Sequence, residues 1–315
     1  MDIFESLNSV VNQALSSIYE TIPKPDYLFH YTSQKALLSM ITKGELWLTG
    51  IRTMNDPREG TFGIDVIQRL LAGNTVTQDI VDIISNYKNR GLVEDHLEYM
   101  RPTYITSFTT EEDSLPDWVS YGSDGRGVSI KFKRLELLPL INKALEDKPF
   151  QVLFPVFYFS SGPMLFNEAN RPLINNLLEA AAQMADLIKQ APPESLNVLK
   201  ALIFDSLMIF ATMIKTDFHK RENEWRLIIR LRGPGELQNV DVIDGQNLRT
   251  IYKVLFPEHE LYSSGPKISQ MGSVVESIYI GPRTRNTGLE HAIRTLTYKR
   301  WGGWSHVLPS AGILS

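Results

Sequence analysis

Trp225-Arg226-Leu227-Ile228-Ile229-Arg230-Leu231-Arg232 sets an apolar residue at every second position, with Arg226, Ile228, Arg230 and Arg232 between them. A period of two is the mark of a strand with one face in a core. Val128, Ile130 and Phe132 repeat it against Ser129 and Lys131, and Tyr104–Phe108 alternates in the same way. Tyr27-Leu28-Phe29-His30-Tyr31-Thr32 is rich in aromatic and β-branched residues, so it reads as a strand. Ser33 then caps a helix running to Lys43, and Gly44 closes that helix in the left-handed conformation. Leu46-Trp47-Leu48, Val152–Phe159 and Ser277–Ile280 supply further strands. Helical spacing marks the first twenty residues, two stretches between 61 and 90, the stripe Leu173, Ile174, Leu177, Leu178, Met184 and Leu187, and Leu196–Lys215. Strands and helices that follow one another without regular alternation predict an α+β fold, with a mixed or antiparallel sheet and helical insertions. Pro23 and Pro25 end the first helix, so residues 1–25 form a helix and linker. Residues 26–315 form one domain with a helical insertion at about 160–215.

The composition narrows the function. The chain has 315 residues, is 43% hydrophobic and 22% charged, and carries a net charge of −4, which argues against a broad positive surface for nucleic acid. With no cysteine, disulfides, thiolate metal sites and cysteine nucleophiles are excluded. Asp2 and Glu5 open the chain and no basic residue precedes Lys24, unlike a secretory leader, so the expectation is a cytoplasmic protein. The most apolar stretch, Ser206–Ile214, is nine residues, about half of the ~18–20 that span a bilayer, and predicts no membrane association. The oligomeric state is not legible.

Familiar catalytic motifs are absent: no G-x-G-x-x-G opening a helix, no P-loop, no H-E-x-x-H and no G-x-S-x-G. Gly122, Gly125 and Gly127 precede a strand and read as a hairpin turn. The six histidines share no ligand spacing with carboxylates, so no metal is expected.

Three places set polar groups among apolar ones. His30 shares a strand face with Leu28 and Thr32, either as a core histidine with backbone partners or as a ligand for a ribose hydroxyl. Trp118 and Tyr121, three residues apart after Pro116, form either a packing cluster or a shelf for a planar ring. Glu222 and Glu224 fall on the face opposite Trp225 and Leu227, with Arg226 beside them as countercharge. They read either as a solvated strand edge or as carboxylates lining a site. Asn55, Asp56 and Glu59, around Pro57, are a turn leading into a helix or a loop bordering a ligand or acceptor.

In order, Phe29-His30-Tyr31-Thr32-Ser33, Asn55-Asp56-Pro57-Arg58-Glu59, Ile105-Thr106-Ser107-Phe108 with Trp118-Val119-Ser120-Tyr121, Gly127-Val128-Ser129-Ile130, and Glu222-Asn223-Glu224-Trp225-Arg226-Leu227 span about residues 27 to 285. This set resembles a widespread bacterial family of unknown function with H-Y-T, N-D-P-x-E, W-x-x-Y and E-W-R motifs. That family is in turn distantly similar to the ADP-ribosyltransferase superfamily. The resemblance implies an ADP-ribosyltransferase-like fold and an enzyme that consumes NAD as substrate, without a metal. It would cleave the nicotinamide–ribose bond and transfer ADP-ribose to an unidentified protein, nucleic acid or small molecule. It assigns Glu224 and Glu222 to catalysis, Glu222 acting on the acceptor. It assigns His30, Tyr31, Thr32, Ser107, Trp118, Tyr121 and Arg226 to the cofactor, and Asn55, Asp56 and Glu59 to the acceptor or its loop. The well-separated tyrosine pair of the superfamily's diphtheria-toxin-like branch is replaced here by Trp118 and Tyr121. Arg226 or Arg283 would meet the pyrophosphate. The alternatives are a non-catalytic module binding a nucleotide or partner on the same fold, an NAD glycohydrolase, or transfer involving an RNA 2′-phosphate. Six basic against three acidic residues between Lys215 and Arg232 would suit an anionic acceptor or an ordinary solvated face.

Overall fold

The computed structural model describes residues 2–54, 58, 60–89, 101–146, 149–162, 167–231, 236, 240–243, 248–260, 267–284, 288–303 and 305–311. They form two compact units. Numbered along the chain, the elements are α1 (Ile3–Thr21), β1 (Tyr27–Thr32), α2 (Gln34–Lys43), β2 (Glu45–Gly50), α3 (Thr61–Leu71), α4 (Gln78–Asn89), β3 (Thr103–Thr109) and α5 (Leu115–Ser120). Then come β4 (Val128–Lys133), α6 (Arg134–Leu145), β5 (Phe150–Pro155), β6 (Phe157–Phe159), α7 (Arg171–Gln190), α8 (Leu196–Ala211), β7 (Ile214–Thr216) and β8 (Glu224–Arg230). The chain finishes with β9 (Val240–Ile243), β10 (Arg249–Leu255), β11 (Glu258–Glu260), β12 (Lys267–Ser269), α9 (Met271–Val274), β13 (Val275–Ile280), α10 (Leu289–Trp301) and β14 (His306–Pro309).

One unit comprises 1–24, 54–102 and 154–221 and is mainly helical. Asp2 caps α1, its side chain accepting from Phe4 N while the Glu5 carboxylate accepts from Asp2 N. Helix α1 packs against α7, and α3 packs against α8. Tyr87 of α4 stacks on Phe204 of α8 with ring centroids 4.6 Å apart. Buried Asp205 accepts from Arg101 N at 3.1 Å. Helix α8 stops at Ala211, short of the expected Lys215, because Thr212 turns its hydroxyl onto Ile209 O at 2.6 Å and Ile214–Thr216 join a strand pair. The strand expected over Val152–Phe159 is two strands. Pro155, which has no N–H to continue a ladder, ends β5, and Phe157 N then donates to Met213 O at 2.7 Å, opening β6 beside β7.

The other unit, 25–53, 103–153 and 222–315, holds the large sheet. Its order is β14-β13-β4-β1-β3-β2-β10-β9, with β8 pairing β3 and β5 pairing β8. Pairing is mostly antiparallel, and β14 joins β13 in parallel. The chain is therefore α+β, with a mostly antiparallel sheet. Helix α2 follows its sequence signals: Ser33 Oγ accepts from Ala36 N at 3.1 Å, and Gly44 at φ 62° donates to Met40 O. A side chain at 44 would come within 2.6 Å of Ser269 Oγ, so glycine is required there for space as well as for handedness. Strand β8 departs from the one-faced expectation, being buried along all seven residues. Arg226 and Arg230 are thereby taken from water and hold partners, Arg230 Nε donating to Thr103 Oγ1 at 3.1 Å. Among the described residues no helix is long and apolar enough to cross a membrane.

Candidate functional site

Strand β3 has three neighbours and only two edges. Strand β8 runs along one edge for its whole length, from Thr103↔Arg230 to Thr109↔Glu224. On the other edge β1 pairs at Phe29↔Thr109, whereas β2 pairs at Thr49↔Ile105 and Gly50↔Tyr104. The two strands therefore part from β3 at opposite ends, with Thr106, Ser107 and Phe108 between them. At this gap a side chain replaces a ladder partner: His30 Nδ1 lies 2.9 Å from Ser107 O. A carbonyl only accepts, so Nδ1 carries the proton and Nε2 is the acceptor nitrogen of the neutral ring. Burial holds the imidazole below its ordinary pKa of 6.5, against a smaller opposing effect of the Ser107 bond. The ring also packs against Phe108, with centroids 5.6 Å apart.

Ser107 faces a second partner through its side chain. Its Oγ donates to Glu224 Oε1 at 2.5 Å. Arg226 grips the same carboxylate from two positions along the strand, Nε donating to Oε1 at 2.8 Å and Nη2 to Oε2 at 3.2 Å. Residues i and i+2 share a strand face, which makes this two-pronged contact possible. Glu224 is 5% exposed and Arg226 fully buried, so their attraction is little screened by water. The register places Phe29 across from Thr109 and Thr109 across from Glu224. Phe29, Tyr31, Ser107, Glu224 and Arg226 thus line one face of the sheet, and Leu28, His30 and Thr32 belong to the other.

The W-x-x-Y segment forms α5 and its C-cap. Ser114 Oγ accepts from Asp117 N at the start, and Tyr121 N donates to Asp117 O at the end. The two aromatic rings have different surroundings. Trp118 is fully buried, its Nε1 donating to Asp113 Oδ1 at 2.7 Å and its ring meeting Tyr31 edge-on at 4.9 Å. Tyr121 is 49% exposed, and its hydroxyl donates to Glu222 Oε1 at 3.0 Å. Desolvation, then the negative charge of Glu222, raises the Tyr121 phenol pKa. Tyr31 is a clasp within the protein: its hydroxyl accepts from Ser114 N at 2.7 Å and donates to Glu111 O at 3.2 Å. Thr32 closes β1 where Gly127 passes so near that a Cβ there would lie 2.2 Å from Thr32 O.

The glycine-rich stretch is not a hairpin turn. It joins α5 to β4, which pairs with β1 and β13. Ser123, Asp124 and Gly125 follow one another at φ 52°, 54° and 75°, a left-handed turn. The turn is pinned by Gln34 Nε2 donating to Arg126 O at 2.5 Å, by Arg283 N donating to Gly125 O, and by Arg283 Nη1 donating to Asp124 Oδ1.

No family model, curated protein or solved structure matches this chain.

The structure therefore brings together Ser107, Glu224, Arg226, Tyr121 and Glu222, with His30 joined to them through the backbone of Ser107. It places Trp118 and Tyr31 in the packing beneath. Glu222 lies outside the strand in which its spacing put it, at the end of the 3-10 helix Asp217–Glu222. Asn55, Asp56 and Glu59 lie outside the described residues. Among the described residues no group of three or more His, Asp or Glu is placed to hold a metal ion.

Sequence reasoning passed over Asp117. It is 4% exposed, and among the described residues no group reaches its Oδ2. Desolvation, reinforced by Glu222 and Glu111 and partly opposed by a bond to Ser114, pushes its carboxyl up to about 6. An acid in the first turn of a helix is ordinary in sequence, so nothing marked it. Phe218, in the 3-10 helix that ends at Glu222, was also passed over and is 87% exposed.

Proposed function

We propose that this protein is an NAD-dependent ADP-ribosyltransferase that cleaves the nicotinamide–ribose bond and passes ADP-ribose to an acceptor. The observation that carries the reading is the Glu224 carboxylate of β8, fixed by Arg226 of the same strand and by Ser107 of β3, the strand from which β1 and β2 diverge. Departure of nicotinamide builds positive charge on the ribose, as in glycoside cleavage. A preoriented carboxylate lowers that barrier, and Arg226 beside it favours the ionised form. In this reading Arg226 serves Glu224 rather than the pyrophosphate. Neutral His30, on the opposite face of the sheet, supports this arrangement from behind by donating to the Ser107 carbonyl. Tyr121 is the exposed ring available to the nicotinamide plane, and Glu222 takes the acceptor's proton.

The test is incubation of purified protein with adenosine-labelled NAD, with and without bacterial lysate, following nicotinamide release and the destination of the label. Label on a macromolecule, reduced by about 10²–10³-fold in Glu224→Gln, is the expected result. Full activity in that variant overturns the role of Glu224. Free ADP-ribose alone identifies a glycohydrolase. A second reading, a nucleotide-binding module without turnover, is favoured by the bonding of both Glu224 oxygens to the protein's own groups. NAD binding without nicotinamide release would establish it.

A further inference from the structure

The two candidate carboxylates are separated by one residue with unusual backbone geometry. Asn223 sits at φ 40°, in the left-handed region that asparagine enters more readily than other side-chain-bearing residues. Both of its ends are tied to the loop that follows β3. Its carbonyl accepts from Thr110 N at 3.3 Å, and its Nδ2 donates to Glu111 Oε1 at 2.7 Å. Glu111 O in turn accepts from the Tyr31 hydroxyl.

In an unbroken strand, side chains 222 and 224 would stand in line on one face. The left-handed residue breaks that line. Behind it, Glu222 accepts from Tyr121; ahead of it, Glu224 is held by Ser107 and Arg226. The left-handed residue between the two carboxylates thus ends the alternation that would carry both along one strand face.

We infer that Asn223 is a positioning residue that fixes Glu222 relative to Glu224, and so decides how ADP-ribose is divided between the acceptor and water. This rests on the transferase reading. In the step concerned, the C1′–N bond breaks and its electron pair leaves with neutral nicotinamide. A lone pair of the acceptor forms the new bond to C1′, and the proton that the acceptor loses goes to Glu222. When Glu222 is displaced, Glu224 still assists departure of nicotinamide and water fills the acceptor's place, giving free ADP-ribose.

The test compares Asn223→Gly with Asn223→Ala. Glycine adopts φ 40° freely and loses only the tie to Glu111, whereas alanine resists the conformation itself. With labelled NAD and bacterial lysate, Asn223→Ala is expected to lower macromolecular labelling by about 10²-fold, since a misplacement near 1 Å has an effect of that size. Nicotinamide release should fall far less, so the ratio of free ADP-ribose to transferred label rises. Asn223→Gly should keep a ratio close to that of the parent protein.

A second readout needs no NAD. Glu222 accepts from the Tyr121 hydroxyl at 3.0 Å, so displacing Glu222 breaks that bond. The NMR shift of the hydroxyl-bearing ring carbon of labelled Tyr121 should move in Asn223→Ala and not in Asn223→Gly. An unchanged Tyr121 resonance and an unchanged product ratio in folded Asn223→Ala overturn the inference and leave the transferase intact. A parent protein that consumes no NAD overturns the transferase reading, and the inference with it.

Discussion

Replacing Asp117 by asparagine should stabilise the protein at alkaline pH and do little in acid. The Asp117 carboxyl is buried, and its pKa moves from 3.8 to about 6, chiefly through desolvation. Between those values the folded chain keeps a proton that the unfolded chain has released. Its contribution to stability is therefore full below pH 3.8 and is lost as pH rises through 6. The two-unit displacement corresponds to ~3 kcal/mol at pH 8 and ~0.5 kcal/mol at pH 4, from about 1.36 kcal/mol per unit. Asparagine has the same shape and no charge to bury. Urea unfolding of the parent and Asp117→Asn at the two pH values measures the difference directly. A gain of ~2–3 kcal/mol at pH 8 that shrinks below ~1 kcal/mol at pH 4 is expected. Destabilisation at pH 8, or an equal gain at both, would refute the assigned burial and charge.

The Arg226–Glu224 pair leads to a second expectation: Arg226→Ala leaves a buried carboxylate without its main countercharge and should cost ~3–5 kcal/mol in urea unfolding. A loss below ~1 kcal/mol would show that Arg226 does not hold Glu224. His30, whose folded pKa lies below 6.5, is neutral in the folded protein while the unfolded chain gains a proton. Its contribution is full above pH 6.5 and is lost as pH falls, at up to ~1.4 kcal/mol per pH unit. Measured in the Asp117→Asn background, where the opposing carboxyl is gone, His30→Gln should flatten this acid limb. An unchanged slope would place His30 in contact with water.

The parts of the fold that were legible are those with local causes. Ser33 and Gly44 bound α2 because a cap hydroxyl and a left-handed glycine act within one turn of chain. The division of β5 from β6, and the end of α8 at Ala211, depend on pairing with distant strands, which periodicity does not carry. Strand β8 alternates in sequence yet is buried on both faces, because alternation reports side-chain polarity and not what covers it. At the site, the residue types were legible and their depths were not. Trp118 and Tyr121 have equal claim to a ligand by composition, but the indole is enclosed with Asp113 and Tyr31 while the phenol reaches out to Glu222. Glu222 left the strand because Asn223 is left-handed, and no pattern of polarity encodes the sign of φ.

The double attachment of Ser107 bears on what variation at that position can change. Its hydroxyl, which touches Glu224, is encoded by the side chain and disappears with a single substitution to alanine or glycine. Its carbonyl, which holds His30, belongs to the main chain and is present whatever residue is encoded there. Drift at residue 107 can therefore tune the carboxylate on one face of the sheet while conserving the chemical anchor of the histidine on the other. The imidazole is protected from mutation on the partner's side, and only a change at position 30 itself, or a shift in the backbone of β3, can undo the contact.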